Sequence, residues 1–281
     1  LFYDTDGTDD DRDESTITTN ILGMYEMSFN YKLPITDKEK FEFGYDGDFI
    51  NSDQSMDFEL AGLEGINDFY YNRDIHAVYF EYERELSDKF SIKPSLRYEY
   101  VDRKITSEVN DLNSDNYDSG SSVLAEYILY NNENQTPESN SSHSTFYPDL
   151  HFTYNLNKKQ SLQFGVSKRV ERPGSFGHGR GQMQIRPFPR DIYSEGFVFV
   201  GDPNLDPEYS TQYDISLKSP APMGFFTSSI FYHEITDKIE WYDNDSFANL
   251  DILTFKNSSK AYKHGISFFI ILAGQVLGGT Y

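Results

Sequence analysis

Four groups of side chains have the types and spacing to do chemistry. The first is the opening run YDTDGTDDDRDES at 3–15, seven acids with one Arg. Asp4, Asp6 and Gly7 are similar to part of a calcium loop, where oxygen ligands alternate and a glycine permits the bend. Counting back from Gly7 puts the first ligand position on Phe2, so the register fails. A solvated acidic loop is the expected reading, with weak divalent-cation binding left open. The six His at 76, 143, 151, 178, 233 and 264 have no metal-ligand spacing, and no nucleophile elbow is present. No metal, no cofactor and no catalytic residue is expected. The third group is Lys93, Arg97 and Glu99, with Arg169 and Glu171 further on. Positions two apart share one face of an extended strand, so Arg97/Glu99 and Arg169/Glu171 can form charge ladders. The fourth is RPGSFGHGRGQMQIRPFPRD at 172–191, a basic patch carrying Arg172, His178, Arg180, Arg186 and Arg190. It lacks the Gly-Lys-Ser/Thr and the following helix of a phosphate loop. As an outer loop it would face an anionic ligand or surface-lipid phosphate, or serve solubility alone.

Bulk properties narrow the setting. A formal charge of −22 opposes a phosphate backbone, so nucleic acid is not an expected partner. The absence of Cys removes disulfides, thiolate metal sites and cysteine nucleophiles. No apolar run reaches the ~20 residues of a membrane-crossing helix. The longest candidate, FFIILAGQVLGG at 268–279, is too short.

The elements that must position the charges are strands. In FYPDLHFTYNLNKKQSLQFGVSKRV, Phe146, Pro148, Leu150, Phe152, Tyr154 and Leu156 fall at every second position, and Leu162, Phe164 and Val166 resume the pattern. The same rhythm runs through 25–33, 41–49, 76–86, 90–100 and 211–217, less firmly through 225–235, and weakly near 250–256 and 261–269. Short links at 34–40, 87–89, 157–160 and 218–224 alternate with long ones near 51–73, 103–145, 171–208 and 240–249. This order predicts an all-β, antiparallel transmembrane barrel wall of about ten meandering strands, with short turns periplasmic and long loops outside. Lipid on one side and a wet lumen on the other demand the alternation. Phe90, Leu96, Tyr98 and Tyr100 then face lipid, and Lys93, Arg97 and Glu99 face inward. Lys168 falls on the apolar face and would snorkel. The ladders stabilise the wall or, alternatively, hold a plug or line a substrate path. The apolar island VLAEYILY at 123–130 is a short strand or helix over the mouth. A soluble antiparallel sandwich explains the alternation but not the order of links.

At SLQFGVSKRVERP (161–173) and GDPNLDPEYSTQYDISL (201–217) the chain resembles the barrel of TonB-dependent outer-membrane receptors, in the outer membrane protein beta-barrel group. That group has a Gly-Asn-Pro-Asn-Leu-x-Pro-Glu element. Here it reads Gly201, Asp202, Pro203, Asn204, Leu205, Asp206, Pro207 and Glu208, with Asp for Asn at the second place. YFEYERELSDKFSIKPSLRYEY (79–100) and TFKNSSKAYKHGISF (254–268) match too, so the likeness covers about 19–268. The two prolines fix φ and remove donors, which suits a rigid entry into a strand and a structural role.

The resemblance implies a barrel of about 22 strands, of which this chain is an incomplete piece. It implies a separate plug, absent here, and an energy-coupling TonB complex as partners, with outer-membrane lipid around the wall. It also implies uptake of a siderophore, glycan or peptide, with no bond chemistry. The expected layout is an acidic outer loop at 1–18, barrel strands at 19–268, and an atypical tail at 269–281 from truncation or a frame shift. The alternative is a small closed outer-membrane barrel acting as structural protein, adhesin or omptin-like protease.

Overall fold

The computed structural model describes residues 14–134, 138–174, 181–189, 197–221 and 224–272. Its strands are β1 (Glu14–Thr36), β2 (Glu39–Leu60), β3 (Leu63–Ser87), β4 (Phe90–Asn113), β5 (Glu138–Asn157), β6 (Gln160–Glu171), β7 (Phe197–Phe199), β8 (Glu208–Ala221), β9 (Gly224–Phe247) and β10 (Leu250–Leu272). Helix α1 (Val123–Asn134) joins β4 to β5, and the short α2 (Gly181–Ile185) lies between β6 and β7. All ten strands belong to one sheet in the order β1-β2-β3-β4-β5-β6-β8-β9-β10-β7. Neighbours are antiparallel except β7, which adds in parallel to β10 at Asp251–Leu253. The expected meander is therefore present, with nine long strands and one of three residues.

Three of the short turns use one device. The Lys38 N–H donates to Thr36 Oγ1 (3.3 Å), the Phe90 N–H to Ser87 Oγ (3.2 Å) and the Lys159 N–H to Asn157 Oδ1 (2.9 Å). A hydroxyl or amide on the last strand residue thus satisfies the reversing backbone.

The opposite end departs from expectation. The stretches 51–73 and 240–249 are not loops, because the strands run through them to two-residue reversals at 61–62 and 248–249. At the first, Ala61 (φ 51°) and Gly62 (φ 82°) both take left-handed backbone, the geometry of a tight hairpin turn. The weak pair 250–256 and 261–269 is one strand, β10. At 22 and 25 residues, β2 and β3 are at least twice as long as the ~9–11 residues a tilted strand needs to cross a bilayer. Strands of 20 residues or more, β1–β5, β9 and β10, therefore have a membrane half and an outer half, whereas β6 and β8, at 12 and 14, are little longer than one crossing.

In the membrane half the apolar side chains point away from the concave face. Hydrogen-bonded rows such as Tyr31–Phe43–Phe80–Leu96–Pro148 and Ile92–Phe152–Phe164–Ile215–Ile230–Ile266 cross the sheet without a break. Phe146 and Ile230 are 57% and 58% exposed, so these rows are not the interior of a sandwich. A band of this size on one face is a surface for lipid.

In the outer half the apolar residues change sides. Along β2, Ile50, Met56, Phe58 and Leu60 are buried on the concave face, while Asn51, Asp53, Ser55, Asp57 and Glu59 take the convex one. Met56, Phe58 and Leu60 pack with Leu63, with Leu124 and Ile128 of α1, and with Phe188, Val198, Leu250 and Ile252, while Ile50 clusters with Phe69, Tyr71, Ile105 and Ile185. In a flat sheet seven strand spacings of ~4.8 Å would hold β2 and β10 about 34 Å apart. One core shared through α1 and β7 requires the sheet to curl. Helix α1 starts where Ser122 Oγ accepts from the Ala125 N–H (3.3 Å), an N-cap, and buries Leu124, Ala125, Tyr127 and Ile128 on one face. The apolar island expected as strand or helix is thus a helix.

Among the described residues β1 is hydrogen-bonded to β2 alone, and β10 to β9 and to the short β7. The two edges do not pair with each other. The wall is an open arc.

Candidate functional site

The concave face gathers charge where the two halves meet. Glu99 on β4 is 6% exposed and accepts from two guanidinium groups, Arg97 Nε (2.6 Å) and Arg172 Nη2. Arg97 also pairs with Asp46 of β2, Lys93 with Glu81 of β3 (2.9 Å), and Arg73 with Asp48 (2.7 Å). A carboxylate so far from water needs such partners, since burying it alone is costly. The Arg97/Glu99 ladder therefore exists as its spacing predicts. Arg169 instead pairs across the strands with Asp149 (2.7 Å), because neighbouring strands bring an acid nearer than the next same-face residue. Glu171 stands opposite Glu208 and has no ion pair among the described residues. Lys168 lies over the Tyr209 ring at 4.7 Å.

Of the basic segment expected to face a ligand, His178, Arg180 and Arg190 fall outside the described residues. The other two arginines turn into the wall. Arg172 is bound to Glu99. Arg186 donates through Nε (3.0 Å) and Nη2 (2.6 Å) to Asn67 Oδ1 and lies beside the Phe69 and Phe188 rings. Loss of water around it lowers its pKa to about 10. These two side chains fasten residues 172–174 and 181–189 to β3 and β4 and are not presented outward.

The 201–208 element continues this strap across the concave face. The Gly201 N–H donates to the Arg186 carbonyl (2.7 Å) and the Asp202 N–H to that of Gln184 (2.8 Å). A Cβ on Gly201 would come within 2.5 Å of the Arg186 nitrogen, so only glycine fits this crossing. The Asn204 N–H donates to Asp202 Oδ1 (2.8 Å), a local side-chain turn. The Pro203 carbonyl accepts from Arg103 Nη2 (3.1 Å) and Ser139 Oγ (3.0 Å), reaching β4 and β5. Asn257 on β10 accepts from the Asp206 N–H (2.8 Å) and donates to the Asp206 carbonyl (3.0 Å). Leu205 is 1% exposed, and after Pro207 the Glu208 carboxylate accepts from the Ile239 N–H (3.1 Å) on β9. The element thus joins four strands.

Several members of this face carry no motif. Asp46, Asp48, Arg73, Arg103 and Asp149 became visible only with the register, since each partners a residue on another strand. Arg73 and Arg103 sit directly opposite each other and are each 7% exposed. Like charges so placed repel, and Asp48 and the Pro203 carbonyl offset this.

A family model described as the outer membrane protein beta-barrel family matches residues 1–273. Among solved structures, the chain is similar to the ferric yersiniabactin uptake receptor FyuA from Yersinia pestis, at 12% identity and a TM-score of 0.56, covering 90% of this chain and 33% of that one. It is similar also to the ferric citrate transporter FecA, at 12% identity and a TM-score of 0.57, covering 91% and 32%. These likenesses are of fold, and the chain spans about a third of the length of either receptor. A comparison with curated proteins finds no match.

Proposed function

The chain belongs to the outer membrane protein beta-barrel family and lies in the outer membrane of a Gram-negative cell, and on that premise we propose that it forms part of an energy-coupled importer. In this reading the membrane halves supply the wall, the outer halves with α1 and the strap supply the ligand surface, and a plug with its TonB complex supplies the gate. The substrate is too large or too scarce for a passive pore, of the siderophore, glycan or peptide class, and no bond chemistry is involved. The charged inner face lines the route and meets the plug. The expected boundaries of the wall at 19 and 268 move outward, because β1 begins at Glu14 and β10 runs to Leu272.

One observation carries this reading. The arc leaves β1 and β10 unjoined over most of their length, with a wet, ion-paired inner face between them. Unpaired strand edges in hydrocarbon leave each free N–H and C=O without a partner at several kcal/mol apiece, so the wall has to be continued by more strands. A larger circumference follows, and a larger bore with it. The small closed barrel, in its structural, adhesin or protease forms, lacks that continuation.

The test is uptake by cells that carry the protein in its native outer membrane. Accumulation of labelled ferric chelates, oligosaccharides and peptides should exceed that of a deletion strain for one class and collapse when a protonophore is added. Uptake that persists without the proton gradient would point to a passive pore and end the proposal.

A further inference from the structure

Two clefts flank the C-terminal half of α1 and meet at Pro187. The smaller, about 280 Å³, lies between α1 and the outer ends of β3 and β4, with Phe188 in its wall. Asn110, Asn131 and Asn132 line it, together with Asn67, whose amide is committed to Ser107, Glu108 and Arg186; one N–H of Asn110 donates to Asp68 and one of Asn131 to the Pro187 carbonyl, leaving each a second N–H. The larger, about 580 Å³, lies between α1, the 201–204 turn and β10. Tyr127, Asn134, Glu138, Asn204 and Thr254 line that one, and Asp202 stands beside them. Among the described residues neither cleft is lined by a Lys, an Arg or a His.

We infer that these neighbouring clefts, which share Pro187 as a wall residue, bind an uncharged oligosaccharide, which names the substrate class for the importer proposed above and rests on that reading. The chemistry follows from the lining. Each sugar hydroxyl both donates and accepts, and primary amides and hydroxyls do the same, whereas a guanidinium only donates. The C–H faces of a pyranose are apolar and suit rings and prolines such as Phe188, Tyr127 and Pro187. An anionic chelate would meet Glu108, Glu138 and Asp202 with no cation among the described lining residues to offset them. A basic peptide would favour those acids, but Asp202 Oδ1 already accepts from the Asn204 N–H, and Asn132, Thr254 and the second amide N–H groups of Asn110, Asn131 and Asn134 offer donors that a cation cannot use. Two volumes sharing one wall residue suit a chain of sugar units.

Calorimetric titration of the native protein, purified from outer membranes in detergent micelles, tests this, with malto-, manno- and xylohexaose, a ferric tris-catecholate and tetralysine as probes. One of the neutral hexaoses should bind. Asn132→Ala and Thr254→Val, one in each cleft, should each weaken it about 5–10-fold, the worth of one or two hydrogen bonds, with melting unchanged. Glu138→Gln should leave it within about twofold, because an amide still bonds a hydroxyl. No binding of any neutral hexaose, or binding indifferent to both substitutions, would overturn the inference. So would binding of the catecholate or of tetralysine at these positions, the latter lost in Glu138→Gln. In those two cases protonophore-sensitive uptake would still stand, so the importer can survive the loss of its sugar.

Discussion

The membrane and outer halves of the sheet use the same alternation to opposite ends. From Phe41 to Phe49 the rings of β2 sit on the convex face, with Asp46 and Asp48 opposite them. From Ile50 to Leu60 the apolar residues sit on the concave face, and the acids have crossed over. Hydrogen bonding with β3 runs unbroken through the change, residue against residue from Glu39 to Leu60. What changes is the medium. Lipid lies outside the first half, and α1 with the strap lies inside the second. A strand pattern therefore reports the solvent on each face, and one strand can report two.

The largest test of this contrast places a charge in the outer core. Ile128→Asp should destabilise the outer half by about 3–5 kcal/mol, since a carboxylate there has no partner, read by urea unfolding in liposomes. A loss below 1 kcal/mol would mean that the packing around α1 is loose or wet. Next, Ile230→Arg on the convex face should cost about 2–4 kcal/mol in the same assay, the range for a charge near the bilayer centre. Asp57→Arg, also convex but in the outer half, should cost under about 0.5 kcal/mol. Equal costs at those two positions would remove the membrane from the account.

A pH series separates the halves in another way. Burial holds the Tyr127 phenol neutral and pushes its pKa up to about 12, against an ordinary value near 10. The unfolded chain ionises first as pH rises. The contribution of this group is thus intact below pH 10 and is lost between about pH 10 and 12, by roughly 2–3 kcal/mol. Tyr127→Phe should remove that portion of the slope, and a slope unchanged in the variant would show the ring to be solvated. The smallest effect expected is coupling within the inner-face charges. A double-mutant cycle of Arg172→Ala with Glu99→Gln should give about 0.5–3 kcal/mol, and a value of zero would make that pair incidental.

The contrast also explains what the sequence discloses and what it hides. Strands at 146–156 and 90–100 are legible because rings and polar groups alternate against a constant environment. The turns at 37–38, 88–89 and 158–159 are legible because Asp, Lys and Asn cluster there. The outer halves of β2, β3 and β9 are not, because the apolar residues step from odd to even positions near Phe49 and Ile50, which looks like a strand ending. Ala61–Gly62 adds to this, being a tight turn without the usual Asn or Asp. Of the inner-face charges, Arg97 and Glu99 can be paired from spacing, whereas Arg169 chooses Asp149 through a register that no local pattern encodes. Arg172 and Arg186 read as a basic surface because Gly-rich surroundings suggest exposure, yet carbonyl, amide and carboxylate partners fold them inward. The clefts beside α1 leave no trace in the sequence beyond a cluster of asparagines.

The open arc sets a rule for assembly. Nine long strands alternating in direction leave β1 and β10 pointing the same way, so joining them, within one molecule or between identical copies in a ring, would create a parallel seam. Bacterial outer-membrane walls are antiparallel with even totals. On the importer reading, the strands that continue the wall beyond the described ones would then be odd in number.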